Sequence, residues 1–273
     1  MDTNLLISNG VDLNHALSLL GDIATYNSIM SEFLSSYKER MERIKIYKDN
    51  GDLANYAIEV HSLKSDSKYL GFTALADISY KHEMASKAGD IRTVEKTYDE
   101  LVNQAQKAIE LMRKYLNAGV ENKTVESPVQ PAQVQVEDSN EVLLDEGVKA
   151  ILIADDSKII RGFLKDSFSG KYMILMAANG REVINIINSN KGKISALLLD
   201  LNMPILSGFD VLDYFKENDL FSSIPVSIIS GSNDKESIDR AFSYPIVDML
   251  NKPFSKEEVI SVVEKTIDYA VMM

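Results

Sequence analysis

Five short apolar segments, separated by helix-forming stretches, most strongly restrict how the second half of this 273-residue chain can fold. Nearly every residue in these segments is apolar, which is typical of parallel strands that are covered on both faces of a sheet. Strands that alternate with helical patterns predict an α/β domain with a doubly wound, five-stranded parallel sheet. The segments are Ala150–Ala154, Met173–Ala177, Ala196–Leu199, Val226–Ile229 and Ile246–Leu250.

The first 118 residues carry a different pattern, in which apolar residues recur at helical spacing. Four or five helices joined by short turns predict an up-down helical bundle. The fold class is therefore an α domain followed by an α/β domain. The predicted helices are Leu13–Leu20, Thr25–Lys48, a segment that begins after Asp52 and ends at Leu70, Ala74–Lys87 and Ile91–Leu116.

A polar stretch, residues 119–147, separates these two parts. It contains one lysine, seven acidic residues, two prolines and no aromatic residue. Such a segment has too little apolar area to offset the entropy lost on ordering, so it is predicted to be a flexible acidic linker. The predicted domains are accordingly residues 1–118 and 148–273.

The overall composition excludes several classes of protein. A formal net charge of −12 argues against non-specific binding to nucleic acid or to anionic membranes. The chain has no cysteine and only three histidines, so the composition excludes a thiolate zinc site and argues against a multi-histidine metal site. The sequence shows neither a signal-peptide pattern nor an apolar run of the roughly 20 residues that span a bilayer, and we expect a cytoplasmic protein.

Polar residues stand where the predicted strands end. They are Asp155 and Asp156, Asp200, Ser230, and Asn251-Lys252-Pro253. Because the carboxyl ends of parallel strands meet at one edge, the three carboxylates would repel each other unless a cation lay among them. Oxygen ligands of this kind suit Mg²⁺, and an adjacent hydroxyl and ammonium suit a phosphoryl group. Each residue alone has a simpler explanation as a helix cap, a turn or a surface loop, but their coincidence at four strand ends favours a site.

The segment from Lys149 to the chain end resembles a response-regulator receiver domain of two-component signalling. The resemblance lies in Asp155-Asp156-Ser157, Leu199-Asp200-Leu201-Asn202-Met203-Pro204, Ser230-Gly231 and Lys252-Pro253-Phe254. The separations also fit: 44 residues from Asp156 to Asp200, 30 to Ser230 and 22 to Lys252.

This resemblance implies a flavodoxin-like sheet of order 2-1-3-4-5 and a role for each matching residue. Asp200 would be the phosphoacceptor, and Mg²⁺ would bind Asp156, Asp200 and the Asn202 carbonyl, with Asp155 assisting through water. Lys252 would pair with the phosphoryl oxygens, and Ser230 would turn to hydrogen-bond the aspartyl phosphate. One position departs from the family: Met249 stands where an aromatic switch residue is common, so the sequence does not predict an aromatic switch for coupling to output.

His61 lies on the predicted helix that ends at Leu70, about 100° beyond the apolar position Val60. A lone helical histidine is usually structural or solvated, but Lys64 and Lys68 follow His61 on what we expect to be an exposed stripe. Two ammonium groups would keep the imidazole neutral and stabilise an arriving phosphoryl group. A neutral imidazole nitrogen is a competent nucleophile. His15 and His82 lack such lysines and are assigned no role.

The local sequence His61-Ser62-Leu63-Lys64-Ser65, with Gly71 ten residues after the histidine, resembles a histidine-containing phosphotransfer (HPt) domain. The pattern of surrounding helices is similar to that family over most of residues 1–118. Many members have glycine where Ser65 stands. Serine is also small, so we expect that the active site of a partner protein can still approach His61.

These features predict a phosphorelay protein in which His61 and Asp200 carry phosphoryl groups. The partners would be histidine kinases, other receivers or other HPt proteins, or the two sites could serve each other. The sequence contains no glycine-rich loop of the kind that cradles phosphates in a kinase. No enzymatic activity is therefore expected beyond the receiver's own phosphorylation and dephosphorylation. Two alternatives stay open: a Mg²⁺-dependent aspartyl phosphatase of the haloacid dehalogenase-like fold, and a scaffold that binds partners without phosphate.

Overall fold

The computed structural model describes residues 2–117, 150–168, 170–231 and 235–272. The predicted linker, residues 119–147, lies outside the described residues. Within the described parts of the chain, none of the helices combines the length and the apolar character that crossing a membrane requires.

The N-terminal part is helical. Its helices are α1 (Thr3–Ser8), α2 (Leu13–Leu20), α3 (Ile23–Asp49), α4 (Leu53–Tyr69), α5 (Thr73–Lys87) and α6 (Ile91–Asn117). The side chains of Asp12, Asp22 and Asp52 cap α2, α3 and α4 by accepting hydrogen bonds from backbone N–H groups of the first turn. The sequence prediction missed α1, because six residues are too few to show a helical period.

The four longer helices, α3 to α6, enclose the N-terminal core. Helix α3 packs against α4 and α6, and α5 also packs against both of them. The predicted stripe of α3 faces inward: Ile29, Phe33 and Ile44 are buried, whereas Tyr37 and Met41 are half-buried. Burial of this apolar stripe, rather than local propensity, holds the long helix in place.

The C-terminal part contains a five-stranded parallel sheet in the order β2-β1-β3-β4-β5. The strands are β1 (Ala150–Ala154), β2 (Met173–Ala177), β3 (Ile194–Asp200), β4 (Val226–Ser230) and β5 (Asp248–Asn251). The helices are α7 (Lys158–Ser167), α8 (Gly180–Ser189), α9 (Gly208–Glu217), α10 (Lys235–Ala241) and α11 (Lys256–Met272), with a 3-10 turn at Leu220–Ser222. This order confirms the predicted flavodoxin-like sheet.

The predicted bounds of β1 and β2 are confirmed, whereas β5 begins two residues later than predicted. The Ile246 N–H donates to the Tyr244 carbonyl at 2.8 Å, which places Ile246 in a turn. Met249, at the usual switch position, lies half-buried on β5 opposite Ile228 of β4.

The two parts of the chain share one continuous apolar cluster. Three rings join them: Tyr69 at the end of α4 lies 6.1 Å from Phe163 of α7 and 5.7 Å from Phe254, between ring centroids. The Tyr69 hydroxyl also accepts a hydrogen bond from the Phe254 N–H at 3.1 Å. These contacts set α4 against the edge of the sheet at which the strands end.

Candidate functional site

The carboxyl ends of β1 and β3 bring three carboxylates together, as the sequence predicts. An oxygen of each of Asp155, Asp156 and Asp200 lies within 4.8 Å of the others. Asp155 accepts a hydrogen bond from the Ser157 N–H at 2.9 Å, and Asp200 accepts one from the Asn202 N–H at 3.1 Å. A backbone N–H therefore fixes one oxygen of Asp155 and one oxygen of Asp200, and the second oxygen of each of these two carboxylates can contact other partners.

Lys252 supplies the positive charge that contacts this cluster. Its Nζ lies 2.6 Å from an oxygen of Asp155 and 2.6 Å from an oxygen of Asp200, and its side chain is only 3% exposed. Burial alone would lower the pKa of Lys252, but the three carboxylates raise it above its ordinary value. The side chain is therefore an ammonium.

One ammonium does not neutralise three carboxylates. Burial raises the pKa of Asp155 to about 6 and that of Asp156 to about 8, and Asp200 acts in the same direction on both. A donor set made only of oxygens, with excess negative charge, fits a hard divalent cation such as Mg²⁺. The role of the Asn202 carbonyl as a further ligand stays a prediction.

Ser230 and Gly231 lie beside this cluster, at the end of β4. Ser230 is buried, and its carbonyl accepts a hydrogen bond from the Lys252 N–H at 2.7 Å. This bond ties the end of β4 to the start of the loop that carries the ammonium. The contacts therefore place Asp155, Asp156, Asp200, Lys252 and Ser230 at one edge of the sheet, where the sequence predicts them.

His61, on α4, faces this edge from the other part of the chain. A Cβ atom placed on Gly231 would lie 3.1 Å from His61 Cε1 and 3.2 Å from Nε2. The Nε2 atom is buried and has no hydrogen-bond partner among the described residues. The expectation that His61 is exposed to solvent is wrong, since the residue is 1% exposed. The reason is that the C-terminal part covers the helix face that an isolated N-terminal part would leave open.

The two predicted lysines behave differently. Lys64 is buried, and its Nζ lies 2.6 Å from Glu83 Oε2 and 3.3 Å from His61 Nδ1. Lys68 is exposed and lines, with Gly231 and Lys252, a narrow gap between the two parts of the chain. The expected exposed stripe is therefore wrong for Lys64, which ion-pairs in the interior instead.

The His61 imidazole is neutral at pH 7. Burial lowers its pKa, Glu83 opposes this effect, and Lys64 adds to it. The sequence analysis predicted a neutral imidazole, and the lowered pKa of His61 agrees with it. The largest cause of the lowered pKa is burial rather than the nearby lysines.

Sequence reasoning missed Glu83, which orients the His61 ring. Its Oε1 lies 2.7 Å from His61 Nδ1, and Lys64 and Lys87 also pair with it. Although burial alone would raise the pKa of Glu83, its contacts with His61 and Lys64 hold that pKa far below its ordinary range. An ionised carboxylate only accepts hydrogen bonds, so Nδ1 carries the proton and Nε2 keeps its lone pair. The sequence signal that could have identified Glu83 is its position as an acidic residue among the apolar positions of α5.

We expect Glu83→Gln to slow phosphorylation of His61 roughly 10- to 100-fold, the usual cost of losing a partner that orients a functional imidazole. The amide can donate to Nδ1, which favours the tautomer with the proton on Nε2 and blocks attack. The measurement is the initial rate of acid-labile label, with ¹⁵N shifts of His61 to report the tautomer. Glu95→Gln, on the exposed side of α6, is the control. An unchanged rate and tautomer in Glu83→Gln would contradict this role.

The remaining histidines lie away from this site. His15 is exposed at the start of α2. His82 is buried, and its Nδ1 lies 2.7 Å from the Tyr56 hydroxyl.

Fold and site together define the C-terminal part as an α/β domain with an acidic pocket at the carboxyl edge of its sheet. Residues 151–264 match the family model described as "Response regulator receiver domain". This part of the chain is therefore a receiver domain, the regulatory domain of two-component signalling. The acidic cluster of Asp155, Asp156 and Asp200 lies where such a domain would hold a metal ion.

Known proteins and solved structures resemble a part of the chain. Sensor histidine kinase TmoS of Ectopseudomonas mendocina is 29% identical over 109 residues, which cover 40% of this chain and 11% of TmoS. Response regulator RR06 of Streptococcus pneumoniae is 36% identical over 106 residues, covering 38% of this chain and 46% of RR06. The chain thus spans less than half the length of either relative. The solved structure of the Francisella response regulator 1452 receiver domain is 28% identical to this chain, and the match has a TM-score of 0.40. The match covers 44% of this chain and 98% of that structure.

Proposed function

We propose that this chain is a phosphotransfer protein of two-component signalling that carries phosphoryl groups on Asp200 and on His61. One observation carries the proposal: the Nε2 of His61 is buried beside Gly231, on the loop that follows β4, and has no hydrogen-bond partner in the part of the chain that the structure describes. A buried polar atom without a partner costs stability, and a functional role is one reason for a protein to tolerate that cost. A nucleophilic nitrogen that awaits a phosphoryl group explains why this one is retained.

The helices around His61 support an HPt domain over residues 1–118. Helices α3 to α6 pack on one another as a four-helix bundle does, and His61 lies in the middle of α4. Ser65 is buried and lines the same gap as Gly231 and Lys252, so a small residue stands where the receiver approaches. Proximity to a receiver edge supports the role that the motif His61-Ser62-Leu63-Lys64 predicts for this histidine.

The residues of the receiver would accept a phosphoryl group as follows. An Asp200 oxygen attacks the phosphorus of a donor, a P–O bond forms, and the bond between phosphorus and the leaving group breaks with its electron pair. Lys252, which contacts Asp200, stabilises the charge on the phosphoryl oxygens, and Ser230 donates a hydrogen bond to them. Mg²⁺, held by Asp156, Asp200 and the Asn202 carbonyl with Asp155 assisting, would neutralise the remaining negative charge when bound.

Transfer to His61 needs no external proton acceptor. The Nε2 lone pair attacks phosphorus, an N–P bond forms, and the P–O bond to Asp200 breaks, which restores the Asp200 carboxylate. The ring becomes a cation that keeps its Nδ1 proton, and the Glu83 carboxylate stabilises that cation through the existing 2.7 Å contact. The same steps in reverse would move the group from His61 to Asp200.

The partners would be proteins that share this chemistry, namely histidine kinases and other receiver or HPt proteins. The aspartyl-phosphatase alternative would need its nucleophile in an Asp-x-Asp arrangement after the first strand, whereas β1 is followed by adjacent Asp155 and Asp156.

The test is incubation with a radiolabelled acyl phosphate, with Mg²⁺ or with EDTA. We expect base-labile label on the protein with Mg²⁺, and loss of nearly all of it with EDTA, because the acidic cluster repels a phosphoryl group when no cation is present. Circular dichroism in both buffers checks that the fold persists. The absence of base-labile label with Mg²⁺, or equal label in EDTA, would contradict the proposal.

A further inference from the structure

Helix α4 touches the receiver through a stripe of three residues, Ser62, Asp66 and Tyr69. Their spacing of four and three residues places them on one face of the helix. We call this face, defined by these three residues, the docking stripe. The docking stripe lies next to His61 on the same helix. The protein surface that binds the stripe therefore also lies beside the His61 imidazole.

Each residue of the docking stripe bonds to a loop that forms the acidic pocket. The Ser62 hydroxyl donates to Asp156, the Ser157 hydroxyl donates to Asp66 Oδ1 at 2.6 Å, and Tyr69 accepts from the Phe254 N–H at 3.1 Å. These three receiver residues directly follow β1 or Lys252-Pro253. The stripe therefore binds the pocket's own loops rather than a remote surface.

Asp66 carries the most specific of these contacts. It is fully buried, and its second oxygen accepts a charge-assisted hydrogen bond from Arg40 of α3, which is also buried. A buried carboxylate that has an ion-pair partner in one domain and a hydroxyl partner in the other is costly to leave half-satisfied. A receiver without a hydroxyl at the position of Ser157 would leave an oxygen of Asp66 without this partner.

We propose that the docking stripe is a surface for the receiver of the same chain, and that docking closes both phosphoryl sites to other proteins. This inference rests on the proposed function and names the partner of His61. His61 is 1% exposed and Asp200 fully buried in the docked arrangement. Exchange with a second protein then requires the two domains to separate. Covalent linkage favours the chain's own receiver, because its docking is intramolecular.

Gly162 of α7 offers a way to open the interface without touching the chemistry. A Cβ atom there would lie 3.0 Å from Glu32 Oε2 of α3. Gly162→Trp should wedge α3 away from α7, whereas Gly162→Ala needs only a small movement of the flexible Glu32 end. Both variants replace a glycine within a helix, so the helix itself should fold at least as well. Asp66→Ala is less informative, because it also leaves Arg40 buried without its carboxylate.

The first measurement is hydrogen–deuterium exchange of the Phe254 amide in the full chain, without any phosphate. We expect exchange in Gly162→Trp to be roughly tenfold faster than in wild type or more, because the amide loses Tyr69, and Gly162→Ala to stay close to wild type. Equal exchange in all three proteins would overturn the docking proposal. This readout holds even if no phosphoryl group is ever transferred, so it fails separately from the proposed function.

The second measurement tests access to His61. A His61→Gln chain labelled on Asp200 is mixed with an Asp200→Asn chain, whose own receiver covers its His61. We expect transfer to be several-fold faster when the acceptor chain also carries Gly162→Trp, because its His61 is released while the donor stays the same. A rate that is equal with and without Gly162→Trp would overturn the closing role of docking.

Discussion

Replacing Asp200 with asparagine is expected to reduce base-labile phosphate on the protein to background. The reacting group would be a carboxylate oxygen of Asp200, and an amide is not a comparable nucleophile. The replacement also removes one of the two carboxylates that contact Lys252 at 2.6 Å. The measurement is incorporation of label from an acyl phosphate in Mg²⁺, followed by treatment with base.

Asp248→Asn is the matched control for this experiment. Asp248 begins β5, at the edge of the sheet opposite the acidic pocket, and pairs with Lys265 near the surface. This variant should keep its base-labile label. Label that persists on Asp200→Asn, or that is lost equally from Asp248→Asn, would show that another carboxylate accepts the phosphoryl group.

Replacing His61 with glutamine is expected to remove acid-labile, base-stable phosphate completely, while base-labile phosphate on Asp200 remains. The Nε2 of His61 is buried, has no partner among the residues that the structure describes, and is the nitrogen that faces the receiver. Glutamine has no ring nitrogen with a lone pair, so an N–P bond cannot form. The measurement is the acid and base stability of label on the full chain.

His15→Gln is the control, because His15 is exposed at the start of α2 and far from Glu83 in the sequence. Its acid-labile label should match wild type. Acid-labile label that survives His61→Gln, or that disappears in His15→Gln, would place the phosphohistidine elsewhere.

The acidic pocket was predictable because it depends on local patterns. Apolar runs mark buried parallel strands, and the geometry of such a sheet brings Asp155, Asp156, Asp200 and Lys252 to one edge. No knowledge of packing between the domains is needed for that step. The same reasoning predicted the bounds of β1 and β2. The strands β3 (Ile194–Asp200) and β4 (Val226–Ser230) are longer than predicted, and β5 begins only at Asp248, after a turn at Ile246.

The surroundings of His61 were not predictable in the same way. The burial of His61 depends on contacts such as that of Ser62 with Asp156, which lie 94 positions apart, one in the N-terminal and one in the C-terminal part of the chain. Helical periodicity identifies only the face of α4 that packs within the N-terminal part. The opposite face is therefore predicted to be exposed, although the C-terminal part covers it. Glu83 was missed for a related reason: its partner is 22 residues away on a neighbouring helix.

The central claim is that one phosphoryl group can reside on either Asp200 or His61. Phosphorus NMR of the full chain with an acyl phosphate and Mg²⁺ tests it most directly, because acyl phosphate and phosphoramidate signals are resolved. We predict both protein-bound signals in wild type, only the acyl phosphate in His61→Gln, and neither in Asp200→Asn. A wild-type spectrum that shows the aspartyl signal alone, at every time point, would contradict the claim.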